Sequence, residues 1–361
     1  MNTKNAKNFN YLLISSILLL FTFVSCAKNE IEHSENRGVY SNKLKYTDLN
    51  KDELIKKGYD EQKKGNWKDA YKIFDEYTVR FPGATLGAFE AHRQKIRCLS
   101  EQAEYTDANE HVLDFINMYK EFLYSSENLE FWEDLRQFWF EKIALPLFYK
   151  DIKKQIIADD TDDAIDVLQT ILDEEPKGPY SAKSLLLMGD GMYFDEDYWD
   201  ARTKYIMVVK YYQNFSIERE EALFKAAAAT AASIEGKKYD PDYISSKGSD
   251  IIERGALNFC DDYLKEYPKG KYTEQIIELK QKLFAVLAYR QYYAGRTYDL
   301  LNFNEAAQIQ YMITIKLFGD AQKYPLCQVW VKKAVDQLRD FGIENYAENK
   351  YWKEFVDSGK D

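Results

Sequence analysis

The sequence predicts an all-α protein built as a solenoid of stacked antiparallel helix pairs. Three observations carry this. Strand-type alternation of apolar and polar residues is nowhere sustained. The 361 residues include only seven prolines and 16 glycines, with abundant Lys, Glu, Ala, Leu and Tyr, a composition that favours helix. Small residues, aromatic residues and prolines also return at fixed offsets along the chain. With 45% hydrophobic and 16% aromatic residues, the chain can bury a long quasi-linear core.

The N-terminus reads as an export signal. Lys4 and Lys7 form a positive n-region, and Tyr11 to Val24 is apolar except for Ser15, Ser16 and Thr22. A membrane-crossing helix needs roughly 20 apolar residues, so this run has the length of a signal-peptide core. It ends Phe23-Val24-Ser25-Cys26, which resembles the bacterial lipobox. The resemblance implies that residues 1–25 are removed and that Cys26, lipidated with diacylglycerol and palmitate-type acyl chains, becomes the mature N-terminus. Two or three chains, at about 0.8 kcal/mol per buried methylene, hold a protein on a membrane without crossing it. Residues 26–42 are polar and aperiodic and read as a flexible tether.

The clearest repeat unit runs from Leu54 to Pro82. Gly58 and Ala70 lie twelve apart, Phe74 follows four later, and Pro82 lies twelve beyond Ala70. Two antiparallel helices can approach closely only where such small residues stand, while Trp67 and Phe74 fill the space beside them. Gly65-Asn66 makes the turn and Pro82 ends the second helix. The pattern and its period of about 34 residues resemble the tetratricopeptide repeat. It returns with Ala164 and Pro176, then with Gly189 and Ala201, then with Ala256 and Pro268. Last comes a long helix, about Thr273 to Leu301, followed by Ala306 and Ala307 as close-approach positions. A helix from Pro325 to Phe341 would cap the array.

The expected organisation is therefore N-terminal repeats over 43–150, partly degenerate, further repeats over 151–341 and a tail over 342–361. Ala88 to Lys150 is the degenerate part: Ala108, Val112 and Phe115 fit a second helix, but the helix before them lacks a clear small residue. No linker rich in Pro, Gly or Ser divides the body, so one continuous array is expected. Cys98, Cys260 and Cys327 are widely separated and odd in number, and they read as buried small hydrophobes, not as a disulfide or metal site.

The second half carries a narrower resemblance. An insertion containing Tyr239-Asp240-Pro241-Asp242 precedes a helix ending Tyr263-Leu264-Lys265-Glu266-Tyr267-Pro268-Lys269-Gly270-Lys271-Tyr272. The long helix with Ala288-Tyr289-Arg290-Gln291-Tyr292-Tyr293-Ala294 follows, and then Phe303-Asn304-Glu305-Ala306-Ala307. Over about 162–341 this order is similar to the BamD family, the tetratricopeptide lipoprotein of outer-membrane β-barrel assembly. The resemblance implies a lipid-anchored scaffold on the periplasmic face of the outer membrane, with the assembly machinery and unfolded outer-membrane proteins as partners. Two departures stand against it. The body is longer by an N-terminal stretch of roughly 100 residues, and a proline expected near Phe318 to Lys323 arrives only at Pro325. Ala27, not an aspartate, follows Cys26, the arrangement that permits outer-membrane sorting in enteric bacteria.

Chemistry-bearing constellations are absent from the sequence, so no enzyme activity, cofactor or metal is expected. His33, His92 and His111 have no metal-ligand spacing, and no G-x-S-x-G, P-loop or H-E-x-x-H motif occurs. The acidic runs Asp159 to Asp163 and Asp195 to Asp197 lack the Gly and bidentate Glu of a calcium loop and read as solvated turns. Tyr292, Tyr293 and Tyr298, at helical spacing, read as core before peptide-groove residues. The formal charge of −11 becomes −13 once Lys4 and Lys7 leave, which makes nucleic acid a poor partner. Two rivals to barrel assembly remain open: a scaffold for peptidoglycan synthesis or division, and a glycan-binding helical-repeat lipoprotein, to which six tryptophans and 29 tyrosines point.

Overall fold

The computed structural model describes residues 44–83, 85–125, 128–155, 162–235, 247–350 and 352–353. Cys26, His33, the proposed signal and tether, and the insertion at Tyr239 to Asp242 lie outside them. All regular structure among the described residues is helical, and each helix packs chiefly against its neighbours in the chain. The contacts separate two compact units, with the chain boundary between Leu129 and Glu130.

Unit 1 contains α1 (Lys51–Lys63), α2 (Trp67–Arg80), α3 (Leu86–Glu101) and α4 (Tyr105–Leu123). Asn50 starts α1 by accepting hydrogen bonds from the backbone N–H groups of Asp52 and Glu53, both at 3.0 Å. Glu53 accepts one in return from Asn50 N–H at 2.9 Å. This capping box satisfies donors that a helix start otherwise leaves open. Ahead of it, Glu76 of α2 accepts from the backbone N–H of Lys45 (2.7 Å) and Tyr46 (3.0 Å), tying the segment before α1 to the pair.

Unit 2 begins with α5 (Leu129–Phe138), a π-helical stretch over Trp139–Ala144, and α6 (Leu145–Gln155). Pro146 has no N–H to give and its ring crowds the preceding turn. The widened π turn just before it, with Leu145 N–H bonding to Phe140 C=O, accommodates both. Then come α7 (Asp162–Glu174), α8 (Ser181–Phe194), α9 (Tyr198–Tyr211), α10 (Ser216–Glu235), α11 (Lys247–Glu266), α12 (Thr273–Leu300) and α13 (Asn304–Phe318). A 3₁₀ turn, Pro325–Cys327, leads into α14 (Gln328–Asp340). The aromatic segment α5 to α6 belongs here because of what its side chains meet. Trp132 Nε1 and Arg136 both donate to Glu175 at 2.9 Å, and Phe140 stacks on Tyr180 at 4.7 Å.

Three pairs share one packing device. A Cβ added at Gly58 would lie 2.5 Å from the Phe74 ring, one at Gly189 2.5 Å from Tyr205, and one at Gly295 2.6 Å from Tyr311. The glycine and the ring are sixteen residues apart each time, and the alanine four before the ring is fully buried: Ala70, Ala201 and Ala307. Ala307, not Ala306, therefore holds the register position, and Ala306 is half-buried beside it. Ala164 and Ala256 are likewise fully buried, while Pro82, Pro176 and Pro268 stand exposed just past the ends of α2, α7 and α11. The pair α3/α4 follows the same register with a larger residue in place of the glycine and a smaller one in place of the ring. Ile96 takes the glycine position, Val112 the ring position, and both are buried along with Ala108.

The turns repeat too. Five residues before Ala70, Ala108, Ala201 and Ala307 stand Gly65, Ala103, Glu196 and Asn302, all with φ between 59° and 76°. After each, the next N–H reaches back five residues, as in Asn66 to Glu61 C=O at 3.0 Å and Phe303 to Tyr298 C=O at 2.9 Å. This is the Schellman closure, and it needs a left-handed residue. Gly342 repeats it after α14, with Ile343 N–H on Leu338 C=O at 2.9 Å, so the array ends by entering a further turn of the same kind.

Only Gly65 among the four pair turns suits its backbone without strain. Ala103→Gly should stabilise unit 1 by about 0.5–1 kcal/mol and Gly65→Ala should destabilise it by a similar amount, both read from urea midpoints. Gly189→Val forces a branched side chain into the Tyr205 ring and should cost unit 2 about 1–3 kcal/mol by the same measurement.

Candidate functional site

The residues that define the repeat are spent on packing. Gly58, Ala70, Ala164, Gly189, Ala201 and Ala256 are buried between helices and present nothing to a partner. The run Tyr263 to Tyr272, which carries part of the narrower resemblance, is a joint as well. Tyr263 O–H donates to Glu220 of α10 at 2.6 Å and accepts from the backbone N–H of Tyr272 at 2.8 Å, while Lys271 N–H donates to the same Glu220 at 2.6 Å. Tyr272 stacks on Phe224 at 4.5 Å, and Arg219 pairs with Glu266. Burial, with the Glu220 contact second, pushes the Tyr263 hydroxyl up to about 12. The run from Tyr263 to Tyr272 thus welds α10, α11 and α12 together.

Polar ties also link the first helices of successive pairs. Asp190 of α8 accepts from Tyr205 O–H at 2.8 Å and from Lys225 of α10 at 2.7 Å, and Lys225 reaches Glu221 at 2.6 Å. Burial raises the Asp190 carboxyl above its ordinary value despite the lysine. The carboxylates raise Lys225 against its own burial. Glu253 of α11, fully buried, pairs with Arg290 of α12.

Open surface that could receive a ligand lies on the first helices. In unit 2 a cleft of about 480 Å³ runs between α10, α12 and α14, with Ile234, Leu283, Val286, Tyr289, Leu326 and Trp330 along it. Tyr289 and Trp330 meet edge to face at 4.7 Å, and Lys333 lies 4.4 Å from the Trp330 centroid. A second cleft of about 470 Å³ lies between the α8–α9 turn and the end of α10, lined by Glu196, Asp197, Trp199, Asp200, Ser233 and Glu235. Glu235 borders both. In unit 1 a broader cleft of about 720 Å³ lies along α1 and α3, where Ile55, Tyr59 and Leu86 mix with Lys56, Lys63 and Glu90.

Of the tyrosines read from the sequence, Tyr292 packs beside Tyr311 (5.7 Å) and Trp330 (5.8 Å), and Tyr293 lies 5.6 Å from Tyr289, so both are half-buried helix-packing residues. Tyr298 is exposed near the α12–α13 turn. Leu326 and Trp330 carry no signal in the sequence, and Tyr289, legible only as part of the long helix's aromatic run, joins them because α12, the 3₁₀ turn and α14 meet in the fold. The aromatic content of the long helix was the one signal pointing there.

Cys98, Cys260 and Cys327 are buried free thiols, and burial pushes them up to about 11, 12 and 11. Among the described residues no group of three or more metal-ligating side chains gathers, and no helix is long and apolar enough to cross a membrane. His111 shares a 2.8 Å hydrogen bond with Tyr71 O–H, and His92 packs on Phe115 and Tyr119.

No family model and no curated protein matches the chain. Among solved structures, it is similar to a tetratricopeptide repeat protein from Parabacteroides merdae, at 13% identity over 79% of this chain and 98% of that one, with a TM-score of 0.29. It is also similar to the C-terminal part of a TPR repeat-containing protein from Cytophaga hutchinsonii, at 14% identity over 78% and 98%, with a TM-score of 0.25. By their own packing, the described residues form an all-helical repeat fold of stacked antiparallel helix pairs, tetratricopeptide-like in architecture.

Burial, with Lys95 next, pushes His92 down to about 4 and lowers His111 as well. The unfolded chain takes up protons below about pH 6.5 that the folded one refuses. Unit 1 should therefore lose stability as pH falls from about 6.5 towards 4, by up to ~3 kcal/mol from His92. His92→Phe should flatten that part of the urea-midpoint profile.

Proposed function

We propose that this chain is a lipid-anchored scaffold on the periplasmic face of the outer membrane, which binds protein segments during β-barrel assembly as BamD-type proteins do. The observation that carries the reading is the combination of a lipobox-type Cys26 with repeats whose chemistry-bearing residues are consumed in packing while apolar and charged clefts stay open. Its mechanism is binding, not bond-making. Stacked pairs hold the clefts rigid, so a partner meets a preformed surface and loses only its own freedom on docking. The acyl chains keep that surface where insertion occurs. The order of joints from Tyr263 to Tyr272, the long α12 and the Ala307 helix supports the narrower family reading.

Cys26→Ser should abolish incorporation of labelled palmitate and move the protein from the membrane to the soluble fraction. Tagged wild-type protein should co-purify with barrel-assembly components, and its depletion should lower porin levels in the outer membrane. Unchanged porins with no such partner would assign the scaffold to another envelope process.

A further inference from the structure

The two clefts of unit 2 differ in chemistry and flank the same structural element, the last turn of α10. On one side stand Glu196, Asp197, Asp200 and Glu235, all exposed, next to the half-exposed indole of Trp199. The C-terminal end of α10 adds the negative pole of its helix dipole. That ring already attracts one cation within the fold, since the Arg202 guanidinium lies 5.2 Å from its centroid. On the other side the lining is mainly apolar and aromatic, Ile234 and Leu283 with Tyr289 and Trp330, and the charged residues Lys282 and Glu235 also border it.

We propose that these clefts together form one bipartite site for an extended peptide segment of a partner protein, with a basic side chain in the acidic cleft and an aromatic or large aliphatic side chain in the apolar one. This rests on the scaffold reading above and gives it a ligand class. Charge complementarity selects the occupant. An acidic residue is repelled by the carboxylates of Glu196, Asp197 and Asp200 around the start of α9, whereas a guanidinium or ammonium meets those charges and an aromatic face. The spacing follows from the element between the clefts. A helix with its side chains is roughly 10 Å across, and an extended chain advances about 3.3 Å per residue. The two anchors should stand about three or four positions apart.

The test uses fluorescein-labelled nonapeptides and fluorescence anisotropy with the folded, unlipidated full chain. One peptide carries arginine and tryptophan four positions apart in a Gly-Ser background. The others replace arginine by glutamate, replace tryptophan by serine, or bring the two anchors next to each other. The first should bind at least tenfold more tightly than each of the rest, and less tightly as salt is raised. Asp197→Lys combined with Asp200→Lys changes only exposed residues. It should weaken the arginine peptide at least tenfold and strengthen the glutamate peptide. Trp330→Ala should weaken every tryptophan-bearing peptide, and if it perturbs folding by circular dichroism, the surface variants carry the test alone.

Equal affinity for the arginine and glutamate peptides, or affinity indifferent to the Asp197 and Asp200 changes, would overturn the proposal. Peptide discrimination without barrel-assembly partners would leave this site standing and move the protein to another process. Partners without peptide discrimination would do the reverse.

Discussion

The contact of a bare helix backbone with an aromatic ring governs the rest of this molecule. At Gly58, Gly189 and Gly295 the ring of the second helix lies where a Cβ would otherwise be. That contact fixes how closely the two helices of a pair approach and which faces they spend on one another. The alanine one turn before the ring completes the approach. The left-handed residue five positions earlier then sets the angle at which the second helix leaves the turn. Because the three features occur at constant offsets, α1/α2, α8/α9 and α12/α13 are units of nearly the same geometry, and stability accumulates from pairs and their interfaces.

Between pairs the chain uses polar ties. Asp190 with Lys225, Glu220 with Tyr263, and Glu175 with Trp132 and Arg136 each join side chains from different helices, and each ion or phenol is partly screened from water. Such ties contribute little net energy when desolvation is counted, but a wrong register would leave one partner buried and unpaired. They act as register pins along an array whose apolar surfaces, rich in Ala and Leu, would tolerate sliding. The buried Glu253 against Arg290 is the extreme case.

What could be read from the sequence follows from which residue types have one structural use. Gly58, Ala70 and Gly189, Ala201 are legible because a small residue twelve positions before another has few explanations in a helical chain. In the α3/α4 pair only the second helix is legible, through Ala108 and Val112, because Ile96 stands where the other pairs carry glycine and pattern-matching by residue size fails there although both Ile96 and Val112 are buried. The turn residues Ala103 and Glu196 hide for a related reason: the fold imposes a left-handed backbone on residues that give no local signal of it, whereas Asn302 is of a type that takes that backbone readily and reads as a turn in the sequence. The placement of the aromatic stretch before Pro146 depends on Glu175 and Tyr180, more than thirty residues away. Cleft residues were hardest to see. Glu235, Tyr289 and Trp330 become neighbours only through the stacking of α10, α12 and α14.

The size of the clefts bears on what kind of scaffold this is. About 480 Å³ accommodates one or two large side chains, and burying each is worth roughly 1.5–3 kcal/mol. Association itself costs an estimated 4–15 kcal/mol, so a single cleft leaves little net affinity for an extended segment. Useful occupancy must then come from engaging several clefts at once or from confinement. Neighbouring clefts that share Glu235 supply the first. A lipid anchor at Cys26, under the proposed function, supplies the second by holding scaffold and client at one surface and raising their effective concentration without any added contact. Weak individual contacts also imply fast release. A protein that must pass a segment onward instead of keeping it requires both properties, and under the proposed function the neighbouring shallow clefts of unit 2 and the lipid anchor together would provide them.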